Sequence, residues 1–398
     1  MRVLHLTSEY PPLVWGGLGT VVGGMTEACA QAGIIVDVLV VRHEYLSAYG
    51  SNIPPDAMSC ADATSATVAI SLTQVPFHDA IRVALALVRA RRPDVVHIHP
   101  VELWPIARAI KEELGVPVVY TVHSLNLAEY AFGNEPPEIL NLWHAQQALI
   151  AGADRVLTLT EDEKQLLIKS CPAAENRVRV IGNGISDTHR AQIAATTRKG
   201  DGDVLVLYSG RFVDRKGIRE IFQAIPFVLR EAPRTQFVFA GGYGNAGEVE
   251  AAWLPQELQR FRSQIHFTGW LSSNEIGPWY EKADLLVVPS WYEPFGMVVL
   301  EGMLYGLPVA ASNVGGPAEI LEDGHTGLLY PPKDSVSLAA AIIKLTVNSN
   351  FRLALGCAAA EAVRARWLWP SIVEQIANVY TELLVNLDEF SSYSGLSM

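Results

Sequence analysis

What most constrains this chain is an alternation that occurs twice. Short apolar, β-branched runs at residues 3–7, 34–41, 68–72, 94–99 and 116–122 are separated by stretches with helical spacing at 18–31, 79–90 and 103–114. Runs that are apolar throughout, rather than at every second position, are strands covered on both faces. Helices flanking a parallel sheet supply that cover. The pattern restarts at 204–208 and continues through 237–240, 265–267, 285–288 and 308–311. Helical spacing over 335–345, 352–366 and 370–387 follows, with a frayed tail expected from Asp388.

At 398 residues the chain has room for two domains, each with its own core. The polar, irregular stretch after Asn183-Gly184-Ile185 marks a boundary. The expected architecture is α/β, two doubly wound domains facing across a cleft. Residues 1–186 form the first and 204–369 the second, 187–203 the linker, and 370–398 a final helix and tail. A hydrophobic fraction of 49% with 18% charged residues excludes a disordered chain. The net charge of −12 speaks against a nucleic-acid scaffold. Cys29, Cys60, Cys171 and Cys357 are widely spaced without a C-x-x-C pair, which fits reduced thiols better than disulfides or zinc. Glu9 and Pro11-Pro12 follow the N-terminus too closely for a signal-peptide core, and no apolar run approaches the ~20 residues of a spanning helix. A soluble, cytoplasmic protein is expected.

Ligands of open parallel sheets bind beyond the carboxyl ends of the strands, so the loops there carry the candidates. The loop Trp15-Gly16-Gly17-Leu18-Gly19-Thr20 precedes a helix, where glycines allow close backbone approach and free N–H groups attract an anion. It is not a dinucleotide fingerprint, because the glycines start nine residues past the strand and Val22 replaces the third. Phosphate binding and a simple turn both remain open for it. Gly210-Arg211-Phe212-Val213-Asp214-Arg215-Lys216-Gly217 follows the first strand of the second domain, where Arg211 and Lys216 could hold a diphosphate. The alternative is a solvated turn with Arg215 and Lys216 at an exposed helix start. In Ser290-Trp291-Tyr292-Glu293-Pro294-Phe295-Gly296-Met297-Val298, Glu293 lies in the loop and Phe295, Gly296 and Met297 are expected in the first helical turn. Glu301, eight residues past Glu293, sits on the same helix. Two such carboxylates can read sugar hydroxyls; the alternative is that Glu293 only caps the helix.

His97 and His99 end one strand and His123 another. Strand alternation puts His97 and His99 on one face, but no nearby Asp, Cys or third His completes a ligand set, so no metal is expected. His123, beside Ser124 and Asn126, is the better candidate for touching substrate. The helix at 81–92, with Arg82, Arg89, Arg91 and Arg92, is read as an ordinary covering helix in preference to a membrane-surface segment. Asp201-Gly202-Asp203 has the D-x-D form of some metal sites but falls in the linker and is discounted.

Together these pieces resemble a retaining glycosyltransferase of the GT-B fold, in the glycogen and starch synthase-like and family 4 group. The resemblance covers nearly the whole chain. Its most specific part is Glu293-Pro-Phe-Gly-Met-Val-Val-Leu-Glu301, the E-x7-E motif of that group. Gly210-Arg211…Lys216-Gly217, Gly315-Gly316-Pro317-Ala318-Glu319-Ile320 and Asn183-Gly184-Ile185 occur in the expected order. The resemblance implies two Rossmann-like domains with the last helix crossing back to the first. It further implies transfer of a sugar from a nucleotide-diphosphate donor with retention and without a metal or other cofactor. Arg211 and Lys216 would bind the diphosphate and stabilise its developing charge. Phe295, Gly296, Met297 and Val298 would meet the donor, Glu293 the transferred sugar and Glu301 the ribose. Gly16 and Gly17 would meet the phosphates, and His123 the donor sugar near the reacting carbon.

The implied partners are a nucleotide sugar and a glycan, exopolysaccharide, lipid-linked or small glycoside acceptor. A lipid acceptor would allow weak membrane-surface contact; oligomeric state is open. Glycogen-synthase-type enzymes carry a lysine where this chain has Val14, and bacterial ones are longer, which weakens glucan elongation. A nucleotide-sugar 2-epimerase is disfavoured by the E-x7-E motif beside the Arg…Lys pair. An inactive nucleotide-sugar-binding protein is disfavoured by Arg211, Lys216, Glu293 and Glu301 occurring together.

Overall fold

The structure, a computed structural model, describes residues 1–12, 14, 16–42, 64–65, 68–133, 138–187, 203–242 and 246–394. Trp15, Cys60, linker residues 188–202 and the Asp201-Gly202 part of the D-x-D lie outside them. The chain divides into two compact units. One comprises residues 1–127, 136–186 and 369–398, the other 128–135 and 187–368. Residues 128–135, assigned from sequence to the first domain, thus group with the second.

The first unit contains an eight-stranded sheet built from β1 (Arg2–Thr7), β2 (Ile35–Arg42), β3 (Thr64–Ser65), β4 (Val68–Pro76), β5 (Val95–Ile98), β6 (Val118–Val122), β7 (Arg155–Thr158) and β8 (Val178–Val180). Their order is β3-β4-β2-β1-β5-β6-β7-β8, and every pairing is parallel except the short β3·β4 one. The chain winds outward from β1 through β2 and β4, then crosses to β5 on the other side. The switch point therefore lies between β1 and β5, and ligands of such sheets bind at the carboxyl ends there. Around the sheet lie α1 (Gly17–Gln31), α2 (Ala80–Arg91), α3 (Trp104–Leu114), α4 (Asn126–Gly133), α5 (Ile139–Gly152) and α6 (Glu161–Ser170). Because α4 runs past residue 127, its later residues belong to the second unit.

The second unit repeats the plan with β9 (Val204–Ser209), β10 (Thr235–Ala240), β11 (Ile265–Gly269), β12 (Leu285–Val288), β13 (Val309–Ser312) and β14 (Gly327–Tyr330), ordered β11-β10-β9-β12-β13-β14. Its switch point falls between β9 and β12. Helices α7 (Ile218–Glu231), α8 (Ala246–Trp253), α9 (Ser273–Lys282), α10 (Met297–Leu304), α11 (Gly315–Ile320), α12 (Ser335–Val347) and α13 (Ser349–Arg366) connect and cover these strands. The core is aromatic: Phe222, Phe239 and Phe267 are buried, with ring centroids 5.1 Å apart for Phe222–Phe239 and 5.2 Å for Phe239–Phe267. The last helix, α14 (Trp369–Ser394), groups with the first unit. Gly24 of α1 lies so close to Trp369 that a Cβ there would stand 2.3 Å from the indole Nε1.

Both units are doubly wound α/β domains on largely parallel sheets, the class expected from the sequence. Several details differ from the sequence reading. Strands β7, β8 and β14 are each only three or four residues long, and β7 and β8 carry Arg155 and Arg179. So short a run, broken by a charge, shows no clear periodicity. The tail expected to fray at Asp388 continues helical to Ser394. Helix α10 begins at Met297 and not at Phe295, because Gly296 has φ 94°, outside the right-handed helical region.

Removing the central ring of the aromatic core leaves a cavity, so Phe239→Ala should cost about 3–5 kcal/mol. Urea unfolding followed by tryptophan fluorescence checks this; an unmoved midpoint would contradict the central place of Phe239.

Candidate active site

At the switch point of the second unit, two loops meet. Leaving β9, the chain makes a short turn over Asp214–Lys216 that ends at Gly217. Gly217 has φ 69°, and a Cβ on it would lie 1.9 Å from the carbonyl oxygen of Pro289. Only glycine lets this turn lie against the loop that follows β12. The backbone N–H of Trp291 donates to the carbonyl of Arg215 at 2.7 Å, closing the junction. Lys216 Nζ is thereby brought onto Glu293 Oε2 in a salt bridge, and Ser290 Oγ donates to the same oxygen at 3.0 Å. The Ser290 carbonyl accepts in turn from Ser312 Oγ. On the far side Gly316 N–H donates to the Glu293 carbonyl at 2.9 Å, and a Cβ on Gly316 would collide with the Phe295 carbonyl at 1.7 Å.

Glu293 does not cap α10, whose N-terminus has no side-chain acceptor. Its carboxylate is spent on Lys216 and Ser290. Burial works to raise the Glu293 pKa, but Lys216 and Arg215 together with these bonds hold it below the usual carboxylate range. Burial lowers Lys216 below the usual lysine value, while Glu293 pulls it back up. The solvated-turn reading fails at Arg215, which is buried and pairs through Nη2 with Glu129 Oε1 at 2.9 Å. Arg211 is exposed and, among the described residues, its side chain forms no hydrogen bond or ion pair. Lys216 has three N–H donors, of which Glu293 takes one. Two cationic groups with unspent donors, Arg211 and Lys216, therefore stand on the loop after β9, and Lys216 holds a charged carboxylate.

Glu301 is half-buried on α10, where the buried Tyr280 of α9 donates its hydroxyl to Glu301 Oε2 at 2.6 Å. Burial raises the Glu301 pKa and the tyrosine bond opposes that rise. Phe295 is a core residue packed edge-on against Trp367, with centroids 5.4 Å apart, so only its backbone is open to a ligand. Met297 and Val298 are half-buried in the first turn of α10. Helices α7 and α10 start from Gly217 and Gly296 without a capping side chain. By contrast Thr160, Asp334 and Asn348 cap α6, α12 and α13 through side-chain oxygens. An uncapped helix start leaves amide donors and a positive dipole end for an anion.

The first unit carries Gly16, Gly17 and His123. Gly16 is the uncapped N-cap of α1, its N–H donating to Glu9 Oε2 at 3.2 Å. A Cβ on Gly16 or Gly17 would meet nothing within 4 Å, so described side chains do not demand glycine there. His123 follows β6 on a loop pinned from beneath. Gln146 donates to the Ser124 carbonyl at 2.9 Å and accepts from Asn126 N–H at 2.9 Å, and Glu163 accepts from Leu125 N–H at 2.9 Å.

One expectation is corrected here. A third histidine does join His97 and His99: His5 of β1, which lies opposite His97 in the parallel register. Ligating nitrogens of His5, His97 and His99 all fall within 4.8 Å of one another. Five of their six ring nitrogens are already hydrogen-bonded, since His97 binds Tyr380 Oη (2.6 Å) and Thr121 Oγ1 (2.7 Å), while His99 bridges His5 (3.1 Å) and His123 (3.1 Å). A metal ion would have to displace these bonds. Sequence reading missed His5, Tyr280, Ser290 and Arg215 as site residues. Only strand adjacency, as in the His5–His97 register, could have flagged the first.

Residues 203–348 match the family described as glycosyl transferases group 1, and residues 15–189 match glycosyltransferase family 4. The glycogen synthase of Mycobacterium tuberculosis is 30% identical over 96% of this chain and 94% of its own length. The chain belongs to this glycosyltransferase family. Among solved structures, the sucrose-phosphate synthase of Thermosynechococcus elongatus aligns over 97% of the glycosyltransferase and 100% of its own chain, with a TM-score of 0.76 and 24% identity. The Anabaena protein HepE, in complex with UDP and glucose, aligns over 96% and 100% with a TM-score of 0.71 and 19% identity. Both likenesses establish the GT-B fold. Among the described residues of the glycosyltransferase, no helix is long and apolar enough to cross a membrane.

The histidine cluster gives the enzyme an acid-sensitive fold. Burial lowers the pKa of His5 to about 3 and that of His123 to about 4, from 6.5. The unfolded chain therefore binds more protons than the folded one between those values, and stability must rise with pH across that window. The urea midpoint should fall as pH drops from 6.5 towards 4, and His5→Phe should flatten that slope. An equally steep slope in the variant would contradict it.

Proposed function

We propose that this glycosyltransferase moves a hexose from a nucleotide-diphosphate sugar to a hydroxyl acceptor with retention of configuration, and that the step needs no metal or other cofactor. The observation that carries the reading is the Lys216–Glu293 junction at the switch point, with Arg211 unspent on the same loop. A departing diphosphate gains negative charge as the glycosidic bond breaks. Cations already held in place stabilise that charge without reorganising, which is where electrostatic catalysis is most effective. Lys216 keeps its bond to Glu293 and offers its remaining N–H groups to the phosphates; Arg211 adds a forked pair.

Glu293, kept ionised by Lys216, uses its other oxygen on the transferred sugar. The backbone at Phe295, Gly296, Met297 and Val298 and the open start of α10 supply donors to the sugar or phosphate. Glu301 accepts from the ribose hydroxyls, His123 meets the sugar near the reacting carbon, and Gly16 and Gly17 present amides to phosphate. HepE in complex with UDP and glucose supports a nucleotide-sugar donor for this fold. The acceptor we infer is a glycan or small glycoside. Likeness to the mycobacterial glycogen synthase favours a second reading, glucan elongation, while Val14 in the glycine loop favours a smaller acceptor. The free, unpaired Cys29, Cys171 and Cys357 fit a reducing, cytoplasmic setting.

Binding to the native state raises the melting temperature, so a panel of UDP, ADP, GDP, TDP and their sugars with and without EDTA tests the donor site. One base should stabilise clearly and EDTA should leave the shift intact; a shift abolished by EDTA would overturn metal independence, and no shift at all would favour an inactive protein. In the same reading, Lys216→Ala should lower turnover on the order of 10²-fold or more. Glu301→Gln should weaken donor affinity more than turnover. Full activity in the first variant, or unchanged donor affinity in the second, removes the assigned role.

A further inference from the structure

The imidazoles of His5, His99 and His123 are joined end to end. His5 Nδ1 lies 3.1 Å from His99 Nε2, and His99 Nδ1 lies 3.1 Å from His123 Nε2. Each contact requires one N–H and one lone pair, and a neutral imidazole owns one of each. Once one ring is set, the others must follow, so a neutral chain has only two arrangements. In one, every proton sits on Nδ1, each ring donates towards His123, and His123 keeps an outward Nδ1–H. In the other, every proton sits on Nε2, His123 donates inward, and the chain ends in an N–H at His5 Nε2.

The far end decides between them. His5 Nε2 is buried without a hydrogen-bond partner. The neighbouring ring, His97, stacks on His99 with centroids 4.4 Å apart but has both nitrogens committed to Tyr380 and Thr121. A buried N–H with no acceptor is rarer in proteins than an unfilled acceptor, so the proton is kept off His5 Nε2. At the other end His123 is half-buried, and its Nδ1 has no hydrogen-bond partner among the described residues.

We propose that His99 and His5 are positioning residues that lock His123 in its Nδ1–H tautomer, so that His123 meets its ligand as a hydrogen-bond donor and not as a base. The consequence for chemistry rests on the reading of His123 as a donor-sugar contact; the lock itself does not. A ring whose Nε2 is already occupied and whose open nitrogen carries a proton cannot take a proton from an acceptor hydroxyl while neutral. It donates instead to an oxygen of the bound sugar.

Long-range ¹H–¹⁵N correlation spectra of the full-length, ¹⁵N-histidine-labelled protein at neutral pH read the tautomer of each ring directly. His5, His99 and His123 should all be protonated at Nδ1; a His123 protonated at Nε2 overturns the proposal. His99→Phe removes the donor and should return His123 to the Nε2–H form that a free imidazole prefers. His99→Asn places an amide N–H near the lost Nδ1–H and should restore the Nδ1–H form; failure to restore it counts against the lock. Should His99→Phe not fold, His5→Phe makes the buried His99 Nε2 the new end without an acceptor and should leave His123 protonated at Nδ1; a His123 protonated at Nε2 in that variant overturns the proposal. With the donor identified by thermal shift, its KM should rise about fivefold in His99→Phe, the worth of one neutral hydrogen bond, and recover in His99→Asn. A tautomer that changes without any change in KM leaves the lock standing and overturns the donor-sugar reading of His123.

Discussion

The second unit depends on a salt bridge between two loops that are far apart in the chain. Lys216 follows β9, Glu293 follows β12, and the two strands are neighbours only because the sheet reverses its winding there. Such a pair is a poor source of stability. Removing two charges from water costs several kcal/mol each, and apolar residues of the same volume would often do as well. Around this pair, however, the loops are shaped to keep it: Gly217 lies against Pro289, Trp291 N–H bonds to Arg215, Ser290 shares the carboxylate, and Gly316 bonds to the Glu293 backbone. So much local structure devoted to holding an ammonium and a carboxylate is understandable if their charges act on a ligand.

The first unit uses its switch point differently. Where β1 and β5 adjoin, it holds neutral imidazoles in place of ions. Burial pushes His97 and His99 well below the usual histidine range, and their neighbouring rings push further the same way. Histidines this close would repel one another if charged, so the four are held neutral, His5, His99 and His123 in a hydrogen-bonded chain and His97 on Tyr380 and Thr121. Tyr380 of α14 closes one side of it at His97. The last helix of the chain thus helps to build the interior of the unit formed by the first residues.

Helix starts show how the same backbone is given two uses. Thr160, Asp334 and Asn348 satisfy free amides of α6, α12 and α13, while α2, α3, α5 and α11 start without a side-chain cap. Gly16, Gly217 and Gly296 leave the starts of α1, α7 and α10 open at the carboxyl ends of the strands. At Gly217 the capping bond is given up for close approach of the Pro289 backbone.

Much of this was legible in the chain itself. Runs apolar at every position specify buried parallel strands, and helical spacing between them specifies doubly wound sheets, because both are local patterns of burial. Ligand sites at the carboxyl ends of strands then single out the loops bearing Arg211, Lys216, Glu293 and His123, and the eight-residue spacing ties Glu301 to Glu293. Which of these groups touch was settled by strand order and packing. Lys216 meets Glu293, His5 meets His99, Tyr280 meets Glu301, and Arg215 is buried against Glu129 in place of facing water. Periodicity tells which face of an element is buried, but not which distant element lies against it. Only the folded sheet, by choosing the neighbours of β1 and β9, turns separate side chains into an ion pair and a histidine chain.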